Sequence, residues 1–164
     1  MHKSLWVIVA ILLSACSPLR LSPKVGKTQT PADWRPVTVG KVTIYLPPSA
    51  KEIVPDQKQP DSKGFETETL SLRIGRSTAD STALALVSNE ESRPNEEQVS
   101  LDGKSSLITQ FRLPSESGQN YVAVLVVSGV YADGLRNVVI WAKGNGPEDQ
   151  KLARKIFLTT RVSP

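Results

Sequence analysis

Apolar and polar residues alternate over much of the chain beyond residue 40, which is the period of strands with one buried face. Val42, Ile44 and Leu46 alternate with Lys41, Thr43 and Tyr45, and Pro47-Pro48 ends that run. Leu70, Leu72 and Ile74 alternate with Thr69, Ser71 and Arg73 and predict a second strand. Between them, residues 49–64 are rich in Lys, Asp, Gln and Pro and predict a long exposed loop. Asp102-Gly103 is a hairpin turn signal between 97–100 and 106–111, because the favoured two-residue turn needs positive φ at both central positions. A polar loop over 114–120 leads into residues 121–131, nearly continuous in Val, which predicts a central strand. Asp133-Gly134 turns the chain back into 136–143, with Val138, Val139, Ile140 and Trp141, as its antiparallel partner.

The period changes after Gly144-Asn145-Gly146-Pro147. Proline suits the first turn of a helix, where its missing N–H costs nothing. Glu148 and Asp149 stand at the positive end of that helix, with Lys151, Arg154 and Lys155 further along, which complements the macrodipole. Leu152, Ile156 and Phe157 make one apolar stripe, so a helix at about 147–158 is expected to pack on the sheet. Residues 79–92 fit two periods. Positions 82–87 pass as a strand, whereas Ala83, Leu84, Val87 and Glu91 share a helical face, and the Ala and Glu content favours the helix. The expected fold class is α+β, an antiparallel sheet with flanking helices in an α/β sandwich.

The chain opens differently. Met1-His2-Lys3 precedes an apolar run over 5–13, then Ser14, Ala15 and the only cysteine, Cys16. A cationic start, a short apolar core and small residues before a cleavage point describe a secretory signal peptide. Nine apolar residues fall well short of the ~20 that cross a bilayer. Leu13-Ser14-Ala15-Cys16 resembles the lipobox of bacterial lipoproteins. That resemblance implies recognition of Leu13, Ser14 and Ala15 by the signal peptidase, removal of residues 1–15, and lipid on the Cys16 thiol. Ser17, where Asp would favour the inner membrane in Gram-negative members, implies the outer membrane. The alternative, an ordinary cleaved signal, leaves a lone thiol unexplained in an oxidising compartment.

Residues 16–36 carry Pro18, Pro23, Pro31 and Pro36 among Ser, Thr, Lys and Gln, and read as a tether after the lipidated cysteine. Fully extended in polyproline geometry, twenty residues reach ~60 Å. Residues 37–164 are expected to form a single globular domain, with Trp34 at the junction.

Composition then narrows the chemistry. The formal charge of +4 becomes +3 when Lys3 leaves with the leader, a mild surplus spread along the chain. Nucleic-acid binding wants clustered cations interleaved with aromatics, so that partner is not expected. His2 is the only histidine and leaves with the leader, and Cys16 is committed to lipid. Without imidazole or thiol, histidine general bases, Ser-His-Asp and Cys-His catalysis, disulfides and ordinary zinc sites drop out together. Carboxylate-only chemistry, Ser-Lys arrangements and calcium sites survive. No cofactor and no metal are expected.

Three patches resemble the PsbP/Mog1/DcrB-like superfamily: Val42-Thr43-Ile44-Tyr45-Leu46-Pro47, Leu101-Asp102-Gly103-Lys104-Ser105, and residues 153–162 from Ala153-Arg154-Lys155 to Val162. The resemblance implies an α/β sandwich on an antiparallel sheet and a non-enzymatic accessory or partner-binding role. It brings no catalytic motif, so no functional residue carries over.

Several side chains are candidate sites. Lys151, Arg154, Lys155 and Arg161 make either a basic face for a partner or the solvated side of a terminal helix. Trp34 is either a plug sealing the sheet edge or a partner anchor, while Trp141 reads as core. Asn89-Glu90-Glu91 and Asn95-Glu96-Glu97 lack the spacing of a calcium loop and read as a solvated, charged helix end. The expected function is an outer-membrane-anchored lipoprotein whose domain, facing the periplasm, binds another envelope protein. An immunity-type protein against a delivered toxin, or a carboxylate- or lysine-based envelope hydrolase, are the alternatives.

Overall fold

The computed structural model describes residues 24–25, 28–54, 62–78, 94–113, 120–131 and 136–164. In chain order its strands are β1 (Lys24–Val25), β2 (Arg35–Val39), β3 (Val42–Leu46), β4 (Lys51–Ile53), β5 (Lys63–Glu66), β6 (Leu70–Thr78), β7 (Asn95–Leu101), β8 (Lys104–Arg112), β9 (Tyr121–Val127) and β10 (Arg136–Gly144). The helix α1 (Pro147–Leu158) and the short strand β11 (Arg161–Val162) follow. Eight strands form one sheet, β1-β7-β8-β9-β10-β6-β5-β4, and three form another, β11-β3-β2. The pairings are antiparallel except that of β1 with β7. This is the expected α+β sandwich, with one flanking helix among the described residues.

The unbroken valine run of β9 has a double cause. Ala123, Leu125 and Val127 face the main core, shared with Ile44 and Leu46 of β3 and with Ala153, Ile156 and Phe157 of α1. Val122, Val124 and Val126 face the other way, in a second cluster with Phe111 and Val139. A strand buried on both faces has no polar side to alternate. β9 lies between β8 and β10, as the central position predicts. The hairpin from β7 to β8 turns at Asp102 (φ 48°) and Gly103 (φ 79°), the left-handed pair such a turn demands.

α1 starts where the sequence places it. Gly146 offers no side chain to cap the helix, so Asp149 does: its Oδ2 accepts from the N–H groups of Asn145 (2.7 Å) and Gly146 (3.1 Å). Thr69 Oγ1 donates to Asp149 Oδ1 and ties that cap to the start of β6. At the other end the buried Thr159 hydroxyl donates to Ile156 O (2.6 Å) and accepts the Tyr45 N–H (3.1 Å). The helix terminus and β3 are thereby stitched together.

Three expectations need correction. Residues 49–64 are not one exposed loop: β4 and the start of β5 lie there, and Ala50, Ser62 and Gly64 are buried. β4 is a short edge strand with two exposed charged residues, so it shows no alternation to read. The boundary between tether and domain at 36/37 cuts through β2, whose Arg35 and Pro36 pair with Leu46 and Tyr45. Lys24 and Val25, also assigned to the tether, pair with Val99 and Ser100. Finally, Asn95, Glu96 and Glu97 open strand β7 instead of ending a helix.

Other expectations fall outside the described residues: the lipobox, the period over 79–92, Asn89-Glu90-Glu91, the turn at Asp133-Gly134, and most of the 114–120 loop. Strands β6 and β7 run parallel with three strands, β8, β9 and β10, between them.

Candidate functional site

The cations singled out on the terminal helix find separate intramolecular partners. Lys151 Nζ lies 2.6 Å from Glu148 Oε1, one turn back, with both side chains largely exposed. Arg154 reaches the sheet, donating from Nε and Nη2 to the two carboxylate oxygens of Glu97 at 2.7 and 2.8 Å. That forked geometry is the strongest form of such a pair. The hydrogen bond to Glu97 raises the Arg154 pKa, against a smaller lowering by burial. The Lys155 ammonium sits 5.2 Å from the centroid of the Trp34 ring, a cation–π contact worth ~0.5–1 kcal/mol at an exposed site. Arg161 turns back onto the carbonyls of Thr159 and Thr160.

Trp34 and Lys155 are thus brought together, while Lys151 and Arg154 each lead elsewhere. Trp34 is half-buried and packs against the main core. It stands just before the first residue of β2. The ring therefore contacts the apolar core and also receives the Lys155 ammonium.

A second arrangement lies on the sheet face remote from α1. The register of β10 with β6 and β9 sets Trp141 between Arg73 and Val124, and Lys143 between Ser71 and Val122. One strand further, Glu66 stands beside Ser71, and Lys51 beside Glu66. Cross-strand neighbours on a face lie ~5 Å apart at Cβ and diagonal ones, such as Arg73 and Lys143, ~7–8 Å. Arg73, Lys143, Lys51 and Glu66 are exposed. Trp141 is half-buried on the rim of the second apolar cluster, so it is core on one edge only. The sequence marks Arg73 as a polar position of a strand, but its neighbours follow from register, which periodicity does not fix.

Among the described residues no three His, Cys, Asp or Glu side chains come together in a way that could hold a metal ion. No helix among them is long and apolar enough to cross a membrane. Glu96 and Glu97 occupy successive strand positions and so point to opposite faces. They do not converge on one substrate.

No family model matches this chain, and no curated protein does. Among solved structures it is similar to a crystal structure from Bacteroides thetaiotaomicron, at 13% identity and a TM-score of 0.47. That likeness covers 76% of this chain and 46% of the other, so the chain spans less than half of that protein's length. It is also similar to the Ran-binding protein Mog1p of Saccharomyces cerevisiae, at 14% identity and a TM-score of 0.47, over 79% of this chain and 95% of that one.

Proposed function

We propose that this chain is a lipid-anchored, non-enzymatic binding domain of the bacterial cell envelope, held at the outer membrane by Cys16 and facing the periplasm. One observation carries the reading: the sole cysteine follows Leu13-Ser14-Ala15, and the sole histidine lies upstream of it at position 2. The same cleavage that frees Cys16 for lipid removes the only imidazole. What remains is a domain without the usual general base or thiol nucleophile. The separate engagement of Arg154, Lys155 and Arg161 within the fold is in keeping with this, since a catalytic cluster would gather such groups in one cleft. The partner class is an envelope protein, not a nucleic acid.

Labelled palmitate is expected to enter the wild-type protein and not Cys16→Ala, which stays unprocessed and leaves the membrane fraction. Unchanged fractionation of the variant overturns the anchor. For the binding role, crosslinking of the acylated protein in its own envelope should give a defined heteromeric species. Recovery of the monomer alone, across several growth conditions, overturns that part.

A further inference from the structure

We infer that the exposed half of the outer sheet face, around Arg73, Lys143 and Trp141, rests on the anionic headgroup surface of the membrane. This rests on the proposed anchoring at Cys16, which holds the domain near such a surface. Most cations of the described domain are already engaged. Arg154 and Lys151 pair with Glu97 and Glu148. Lys155, Arg76 and Arg112 lie over aromatic rings. Arg35, Lys41 and Arg161 donate to main-chain carbonyls.

Arg73, Lys143 and Lys51 differ. All three are exposed, and none forms an ion pair within the described residues. All three fall on one face in two adjacent cross-strand rows, with Glu66 as the one carboxylate among them. The local balance is positive, and the small residue Ser71 lies in the row between Lys143 and Lys51. Trp141 stands at the border of this face, with one edge in the apolar cluster and the rest open. An indole at a boundary between apolar and wet surroundings beside cations suits the headgroup layer. Each such cation near an anionic surface adds only a modest attraction, so three give weak contact that needs a tether to persist. The chain from Cys16 to Lys24 extends to at most ~30 Å, against about five strand spacings of ~4.8 Å between β1, which carries Lys24, and β6, which carries Arg73.

The test uses the full chain carrying Trp6→Phe and Trp34→Phe, which leaves Trp141 as the sole tryptophan. The apolar leader or the lipid holds this protein on vesicles of either kind, so the readout does not depend on acylation. Palmitate labelling judges the anchor separately. Brominated lipid should quench Trp141 at least twofold more in vesicles containing phosphatidylglycerol than in pure phosphatidylcholine. The difference should vanish in 1 M salt, where the Debye length falls to ~3 Å. Arg73→Glu with Lys143→Glu should also abolish it, and the milder Arg73→Gln with Lys143→Gln should weaken it, with circular dichroism confirming the fold. Equal quenching in both vesicles, or quenching indifferent to the substitutions, overturns the proposal. Absence of quenching together with Arg73-dependent binding of polyglutamate also overturns it and assigns the face to an acidic protein segment.

Discussion

Arg154 on α1 and Glu97 on β7 form a forked ion pair that joins helix to sheet across 57 residues of chain, at 2.7 and 2.8 Å. The Arg154 side chain is 41% exposed and that of Glu97 22%, so solvent screens the pair and its strength comes from geometry more than from burial. A double-mutant cycle with Arg154→Ala and Glu97→Ala, followed by urea denaturation, should give a coupling of ~1 kcal/mol. The pKa of Arg154 is raised in the folded state. Its contribution is therefore complete below the ordinary arginine value and is lost only as pH climbs through the folded one, far into base. The coupling should not change between pH 6 and 9. A coupling near zero would make the pair a surface coincidence.

Gly144 sits where a side chain has no room. A Cβ placed there would lie 2.2 Å from Asp149 Cβ and 2.8 Å from its Oδ2. Asp149 cannot step aside cheaply, because it caps α1 through the N–H groups of Asn145 and Gly146 and accepts from Thr69. Gly144→Ala should cost ~2 kcal/mol through overpacking and loss of the cap together. Asp149→Ala alone should cost ~1 kcal/mol. Asp149→Ala keeps the Cβ that would lie 2.2 Å from the new one, so the steric cost persists in the double variant and only the loss of the cap is shared. Its cost should fall below the sum by no more than that ~1 kcal/mol, as read by thermal denaturation.

Trp34 packs against the core beside Lys155, and its roles as plug and as partner anchor predict different outcomes. Trp34→Ala should lower stability by ~2–3 kcal/mol, in the range of a large side chain lost from a half-buried site. Lys155→Ala should cost no more than ~1 kcal/mol, the size of one exposed cation–π contact. A Trp34→Ala protein of wild-type stability that fails to crosslink to its envelope partner would make Trp34 an anchor instead.

Local chemistry made some elements readable. The helix over 147–158 was written in its own termini, by Pro147, the early Glu148 and Asp149, and the stripe of Ile156 and Phe157. The hairpin was readable in Asp102-Gly103, and the centre of the sheet in the Val-rich run of β9. What stayed hidden was set at long range. β4 exposes charged residues at an edge, so burial imposes no period on it. β1 owes its pairing to the neighbouring β7 edge and not to its own two residues. The basic residues of α1 looked like one face because spacing shows only their own helix. Glu97 and Trp34, which take up Arg154 and Lys155, lie in distant segments. The row of Arg73, Trp141 and Val124 required strand register, and periodicity leaves that free.

Thr159 and Thr160 are neighbours in sequence, both fully buried, and should respond in opposite senses to the same substitution. The Thr159 hydroxyl donates to Ile156 O and accepts the Tyr45 N–H, so it satisfies one group of the helix terminus and one of β3. Thr159→Val keeps the shape and strands the Tyr45 N–H in the interior, at a cost of ~1–3 kcal/mol. The Thr160 hydroxyl has no hydrogen-bond partner among the described residues. Burying it unpaired already destabilises the native state, so Thr160→Val should remove that penalty and raise stability by ~1 kcal/mol. Urea midpoints measured side by side check the pair, provided the denaturant slope is unchanged. If both variants lose stability, the Thr160 hydroxyl has a partner in solution and the interior around the C-terminus of α1 is hydrated. If both are neutral, the stitch between α1 and β3 contributes little, and apolar packing of Ile156 and Phe157 alone holds the helix to the sandwich.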